Sequence, residues 1–276
     1  MGWHGHLALS YHRDAETTRA RSRHHGPLRV LASLYPEGPS VCHHVLVHPP
    51  GGLVGGDVLE LEIDLAANTH AVVTTPGATR FYRSAGERAV QQVGVKLAAG
   101  ARFEWLPLET ICHRSTLADN RLHFELAPGA EMIGWDLLAL GLPASGEAFD
   151  DGQMNQQITL PGVWQERARI DGRDQRLLDG PLGWAGHRVL GTLWFSRGNS
   201  LAAERREALL ETARGLSGAS TLAARAGTTS PHERLVVLRV LASRVEPAMA
   251  LLAQVRAAWR QAAWGLAAHP PRIWRT

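Results

Sequence analysis

The chain has 276 residues, of which 45% are hydrophobic, enough for a substantial buried core. Its formal net charge is +3, and the short arginine run at Arg19, Arg21 and Arg23 has no interleaved aromatic residues, so no nucleic-acid partner is expected. No apolar run reaches the roughly 18 residues of a membrane span, and the N-terminus lacks the pattern of a secretory signal. The two cysteines, Cys42 and Cys112, do not suggest a disulfide framework, so a reducing cytoplasm is expected.

Residues 48–57 have the unusual sequence HPPGGLVGGD. Prolines preset the backbone angle φ and glycines permit positive φ or close backbone approach, so this segment predicts a tight corner that delivers Asp57 to the start of a strand. The segment has no Gly-Lys-Ser/Thr, and a strand pattern rather than a helix follows it. Neither a phosphate-binding loop nor a dinucleotide fingerprint is therefore predicted.

From residue 58 onward a strand–turn–strand unit recurs. In each copy apolar residues alternate with polar ones, a short turn follows, and a more apolar segment comes next. The leucines before the turns, Leu65, Leu97 and Leu126, are about 30 residues apart, and a weaker fourth copy ends at Leu160. The pattern predicts a mainly β protein with an elongated body of stacked β-hairpins or a β-helix over about residues 1–195. A β-sandwich with similar hairpins is the alternative.

The C-terminal third changes to helical periodicity. Leu209, Leu210, Ala213 and Leu216 fall on one face of a first helix. Strands are predicted over residues 220–225 and 235–241, and a second helix begins near Pro247. No low-complexity linker separates these elements, so a single domain over residues 1–276 is predicted.

The second helix has an apolar stripe, and more tryptophans follow it near the C-terminus. Contiguous apolar surface of this kind marks protein interfaces, which predicts a partner-binding surface. The alternative is a helix that simply closes the β core. The residues concerned are Leu252, Val255, Trp259, Trp264 and Trp274.

Catalytic motifs are missing, but carboxylates interrupt apolar strands. Gly-x-Ser-x-Gly and His-Glu-x-x-His do not occur, so no enzyme is predicted, and the histidine pairs lack the spacing of a closed zinc site. Glu109, Asp136 and Glu166 follow apolar segments, and a buried acid must be paired, hydrogen-bonded, metal-bound or protonated. Two interpretations stay open: a polar lane for a divalent cation, or pairing with an arginine, for which the candidates are Arg80, Arg83 and Arg167.

Several ordered segments resemble the urease accessory protein UreD (UreH) family. They are the loop at 48–57, TTPGATRFYRS at 74–84, EWLPLETI at 104–111, the segment 135–147 and PPRIWRT at 270–276. A set this long and ordered is highly specific. Within it, Arg80 stands where the family usually has lysine, and Leu108 where glutamine is common.

The resemblance implies a non-enzymatic urease maturation factor with a mostly β body and two helices. It implies a UreF-like helical partner, a UreG-like GTPase recruited through that partner, and docking on apo-urease. Nickel would pass transiently through internal tunnels, with no tightly bound cofactor. The positions that match proposed tunnel-lining residues are Asp57, Thr79, Asp136 and Glu166. A metal-dependent hydrolase and a nickel-storage protein are the rival classes.

Overall fold

The computed structural model describes residues 2–275. The chain forms strands and three α-helices. The strands are β1 (His4–Asp14), β2 (Thr17–His25), β3 (Arg29–Val30), β4 (Val41–Val47), β5 (Val58–Leu65), β6 (His70–Thr74), β7 (Thr79–Phe81), β8 (Ala89–Leu97), β9 (Arg102–Leu106), β10 (Thr110–Cys112), β11 (Thr116–Leu126), β12 (Glu131–Leu140), β13 (Gly152–Leu160), β14 (Trp164–Asp171), β15 (Val189–Arg197), β16 (Ala226–His232) and β17 (Leu235–Ala242). The helices are α1 (Gln175–Asp179), α2 (Ala203–Gly218) and α3 (Val245–Trp264).

The repeated units stack into two sheets, which confirms the predicted mainly β, β-helix-like body. The first sheet has the order β14-β13-β11-β8-β5-β1-β2, and the second runs β16-β17-β15-β12-β9-β6-β4-β3. Each of the first three repeats contributes one strand to each sheet, and these repeats pair in parallel. The fourth copy differs, because its strands β13 and β14 form an antiparallel hairpin within the first sheet. Leu97 pairs in register with both Leu65 and Leu126, so the recurring leucines form one stack.

The turns between the sheets explain the recurring turn residues. Asn68, Gly100, Gly129 and Gly162 all have positive φ, between 59° and 82°. Glycine adopts this left-handed conformation without a Cβ clash, and asparagine tolerates it better than most residues. The turns at Asn68, Gly100 and Gly129 can therefore carry the chain from the first sheet to the second in the same way, whereas Gly162 turns the β13–β14 hairpin within the first sheet.

The core has two layers, one on each side of the second sheet. Apolar side chains of the two sheets meet in the first layer. In the second layer the opposite face of the second sheet packs against α2 and α3. Because successive strand residues point to opposite faces, β12 serves both layers, with Leu138 facing the first sheet and Leu137 facing the helices.

The structure corrects the predicted partner-binding stripe on α3. Leu252, Val255 and Trp259 are fully buried against the second sheet and α2, and Trp264 is nearly so. Trp259 Nε1 donates to the Leu209 carbonyl oxygen of α2 at 2.8 Å. The expected exposed apolar surface is therefore wrong, because a helical apolar stripe must be covered and here the chain's own sheet covers it.

Half-buried Trp274, after α3, is held in the same layer. Its Nε1 donates to Thr74 Oγ1 at 2.9 Å, and its ring centroid lies 5.1 Å from that of Trp135. The C-terminal segment thus docks on the chain itself.

Buried charges tie α3 to the β body. Glu104 of β9 is fully buried and receives hydrogen bonds from Arg256 Nε at 2.7 Å and Arg260 Nε at 3.0 Å. Arg260 also donates to Glu37, and His70 Nε2 lies 3.1 Å from Glu104 Oε1, the oxygen that accepts from Arg260 Nε. Despite burial, the charges of Arg256 and Arg260 and the contact with His70 hold the pKa of Glu104 well below its usual range.

The predictions for the C-terminal third meet different outcomes. The helices predicted there are confirmed as α2 and α3, and the strand over 235–241 is confirmed as β17. The strand over 220–225 is wrong. Ser220 Oγ donates to the Ser217 carbonyl and accepts from Leu222 N–H, and such local bonds favour a turn over a strand.

Two smaller observations concern cysteines and helix length. Cys42 and Cys112 are both free and buried. Within residues 2–275, no helix combines the length and apolar character needed to cross a membrane.

Candidate functional site

A cavity of about 180 Å³ lies between the two sheets. Strands of both sheets form its walls, and the glycine-rich loop and residues 75–80 close one side. Thr79 and Asp136 both line it, so the structure brings together two of the four predicted route residues.

Asp57 lies immediately before β5, as predicted, and holds the glycine-rich loop. Its Oδ1 accepts the N–H of Trp3 at 2.8 Å, and its Oδ2 accepts the N–H of Val54 at 2.9 Å. The carboxylate therefore holds the loop through backbone hydrogen bonds and does not itself line the cavity. Its charge still reaches His48 in the cavity wall, where it opposes the lowering of the His48 pKa by burial.

Three amide side chains form a row on the inner face of the first sheet. Asn120 of β11 pairs in register with Gln91 of β8 and with Gln156 of β13. Gln91 Nε2 donates to Asn120 Oδ1 at 3.0 Å, and Asn120 Nδ2 donates to Gln156 Oε1 at 3.1 Å. Gln156 Nε2 is buried and forms no hydrogen bond of good geometry among residues 2–275. The Gln156 amide is nevertheless close enough to the Asp136 carboxyl to favour its charged form, so the row ends beside Asp136.

Asp136 points from β12 of the second sheet toward this row. Its Oδ1 lies 3.4 Å from Asn120 Nδ2, and the residue is 7% exposed. Burial, and then repulsion from Glu166, raise the pKa of Asp136 to about 7, and the nearby Gln156 amide opposes this only in part. No arginine is among the groups that shift this pKa. Near neutral pH the carboxyl is therefore divided between its charged and protonated forms.

Glu166 faces inward from β14, on the same side as Ala168, which pairs in register with Gln156. Its side chain is 10% exposed and accepts a hydrogen bond from the Arg239 guanidinium of β17. Burial raises the pKa of Glu166, and the charge of Arg239 opposes that rise. Glu166 is thus near enough to Asp136 for charge repulsion while being paired on its other side.

The arginine partners predicted from sequence are wrong. Arg167 is adjacent to Glu166 in β14, so its side chain points to the opposite, exposed face. Arg80 and Arg83 lie on or beside β7, across the cavity region. The partner of Glu166 is Arg239, which is 73 residues away in sequence.

A second row crosses the second sheet opposite the amides. Asp136 pairs in register with Thr192 of β15, which pairs with Arg239 of β17, so the three side chains share the inward face. Apolar residues flank the row on that face, among them Trp194 and Val237. We name the combined set the polar layer: Gln91, Asn120, Gln156, Glu166, Asp136, Thr192 and Arg239.

Most members of the polar layer were missed by sequence reasoning, although signals existed. Gln91 and Asn120 both stand six residues before the recurring leucine of their repeat, so aligning the repeats places them side by side. Arg239 is the one charged residue within the otherwise apolar run LVVLRVLA. Neither signal indicates which residue of the other sheet lies opposite.

The polar layer offers oxygen donors from carboxylates, amides and hydroxyls. Such donors hold divalent first-row metals less firmly than imidazole or thiolate groups do. Within residues 2–275, no group of three or more histidine, cysteine, aspartate or glutamate side chains is placed to hold a metal ion. The arrangement is therefore a spread-out series of weak oxygen ligands.

The fold and the polar layer define a β-solenoid-like protein with buried oxygen donors between its sheets. Residues 4–275 match the family model of the UreD urease accessory protein. The chain is 63% identical over 278 residues to the urease accessory protein UreD of Leptothrix cholodnii, with 100% of both chains covered. It is 57% identical to the proteins of that name from Variovorax paradoxus, with 100% of both chains covered, and Polaromonas sp., with 99% covered. The chain belongs to the UreD urease accessory protein family.

Proposed function

We propose that this chain is a non-enzymatic urease maturation factor that passes nickel to apo-urease along the polar layer. Family membership supports the maturation role, since the relatives are named urease accessory proteins. The observation that carries the nickel proposal is the inward-facing row of Asp136 with the amides, next to the cavity that Thr79 lines. We place this activity in the cytoplasm.

The physical properties of the layer suit transit better than storage. A cation in transit needs ligands that offset part of its lost hydration but release it again. Asp136 supplies one carboxyl, which its raised pKa leaves partly protonated near neutral pH, and Glu166 supplies a second carboxyl nearby. Amide and hydroxyl oxygens bridge between them. In the proposed route Asp57 keeps the loop wall in place.

The proposed assembly has a UreF-like helical protein bound to this chain and a UreG-like GTPase recruited through it. Because the α3 stripe is internal, the docking surface must use other residues. The proposal does not include catalysis by this chain. It therefore predicts that the purified protein hydrolyses neither urea nor nucleotides above background.

The deciding experiment co-expresses the chain with urease subunits and UreF-like and UreG-like proteins. The variants are Asp136→Asn, Asp136→Leu, Asp136→Glu, Glu166→Gln and Thr79→Val, with Glu246→Gln at an exposed site of α3 as the matched control. We measure complex formation by pull-down and nickel per urease by elemental analysis. Normal complexes with nickel-poor urease support the route, and Asp136→Leu should be more harmful than Asp136→Glu, which keeps the carboxylate. Normal nickel loading in all route variants would refute it.

Stoichiometric metal analysis after dialysis separates the rival classes. A storage protein or a metal-dependent hydrolase should retain nickel or another metal through dialysis. A conduit should lose it. Retention of one or more firmly held metal ions per chain would contradict the proposal.

A further inference from the structure

Arg239 occupies an unusual place on β17. Its inward-facing neighbours, Val237 and Leu241, belong to the apolar core between the sheets. Arg239 nevertheless faces the same side, in register with Thr192 and, beyond it, Asp136. An arginine costs free energy on a core-facing strand position unless its charge is compensated or reaches water. Arg239 meets both conditions, because it pairs with Glu166 and its guanidinium reaches solvent.

The Glu166–Arg239 pair lies at the boundary between the polar layer and solvent. The Glu166 side chain is 10% exposed, whereas that of Arg239 is 47% exposed. In the part of the chain that the structure describes, Glu166 forms an ion pair with Arg239 alone. The carboxylate thus belongs to the interior and the guanidinium reaches it from the water side.

This arrangement makes the guanidinium easy to displace. Because the guanidinium is half exposed and is solvated again on release, the pair is weaker than a fully buried one, and we take about 1 kcal/mol, the upper end for exposed pairs, as its contribution. A divalent cation carries twice its charge and competes for the same carboxylate oxygens.

Building on the proposed function, we propose that Arg239 is a displaceable cationic cap that closes the Glu166 end of the polar layer until a divalent cation takes its place. The cap competes with the metal and so weakens its binding at Glu166, which favours release. It also keeps monovalent cations out, since they carry no charge advantage over the guanidinium.

The test measures Ni²⁺ affinity of the full-length chain by equilibrium dialysis at pH 7.5. The variants are Arg239→Gln, Arg239→Gln combined with Glu166→Gln, and Arg244→Gln. Arg244 is an exposed arginine whose pair with Glu246 lies at the start of α3, so its variant makes the same change in net charge. We expect Arg239→Gln to bind Ni²⁺ up to about fivefold more tightly than wild type, the factor that corresponds to an exposed ion pair of up to about 1 kcal/mol. Arg244→Gln should match wild type, and the double variant should lose the gain.

Several outcomes would overturn the cap. One is equal Ni²⁺ affinity of the Arg239→Gln and Arg244→Gln variants. A second is a gain in affinity that persists in the double variant, which lacks the Glu166 carboxylate. A third is no measurable Ni²⁺ binding by either single variant. These results are independent of the urease nickel assay with Glu166→Gln. That assay can refute the route while the binding data still support the cap, or the reverse.

A measurement on the wild-type side chain does not depend on a variant's stability. The Arg239 Nη2–H resonance, assigned by its loss in Arg239→Lys, should be protected from hydrogen exchange by its bond to Glu166 Oε2. Addition of Zn²⁺, a diamagnetic divalent ion, should remove this protection. Unchanged protection at Zn²⁺ concentrations that saturate the chain would contradict displacement.

Discussion

Replacing Glu104 with glutamine tests whether buried charges hold α3 on the β body. Glu104 and Arg260 are fully buried and Arg256 is 2% exposed, so removing the negative charge leaves two cations without water around them. Loss of one partner from a buried ion pair costs about 3–5 kcal/mol. Arg260 keeps Glu37 as a second partner, which limits the loss. We therefore expect Glu104→Gln to lower the free energy of unfolding by about 3–5 kcal/mol.

The matched control is Glu246→Gln in α3, the helix that the Glu104 network holds. The side chains of Glu246 and its partner Arg244 are 68% and 76% exposed, and such a pair contributes at most about 1 kcal/mol. Both variants make the same chemical change, one inside the protein and one at its surface. Their difference therefore isolates the effect of burial.

The assay is equilibrium unfolding in urea, followed by tryptophan fluorescence and far-ultraviolet circular dichroism. With a slope of about 3 kcal/mol per molar urea, the expected loss moves the midpoint by about 1 M or more. The slope itself should stay unchanged. If Glu104→Gln and Glu246→Gln unfold at the same urea concentration, the inference that this charge network anchors α3 is refuted.

Three further predictions follow from buried contacts. Asp57→Ala leaves the N–H groups of Trp3 and Val54 without their acceptor and should lower the free energy of unfolding in urea by about 1–3 kcal/mol. Asp57→Asn should lower it less. An Asp57→Ala variant as stable as wild type would contradict the role of Asp57 in holding the loop. Burial, and then the His43 charge, lower the pKa of His44 to about 4. The free energy of folding that neutral His44 contributes is therefore complete above about pH 6.5 and is lost as pH falls toward 4. About 2 kcal/mol should be gone by pH 5, and an equal acid sensitivity in His44→Gln would exclude His44 as its source. Deletion of residues 246–276 uncovers the helix-facing side of the second sheet and should give aggregates in gel filtration, whereas a monomer with native near-ultraviolet circular dichroism would show that α3 is dispensable.

Much of the β body can be predicted from the sequence because its signals are local. Alternation over residues 58–65 and its recurrence before Leu97 and Leu126 depend only on neighbours in the chain. Glycine or asparagine at the turns reflects a backbone angle that each turn requires by itself. The stacking of the leucines then follows, because equal repeats bury their apolar faces on one another.

The candidate site could be predicted only in part. Asp136 and Glu166 stand out as acids in apolar strands, and the structure places them close enough to affect one another. The arginine partner could not be chosen from sequence, because the pair between Glu166 and Arg239 joins two different sheets. Strand periodicity states which face a side chain occupies but not which strand lies opposite.

By itself, therefore, the sequence determined the repeated strands and turns of the β body and the two long helices, since each depends on residues within one turn, one strand or one helix. Tertiary structure alone decided that the apolar stripe of α3 faces inward, because an amphipathic helix has the same pattern whether its own chain or a partner covers it. It also decided the polar layer, where the long-range register of Asp136, Thr192 and Arg239 brings together residues that no local pattern connects.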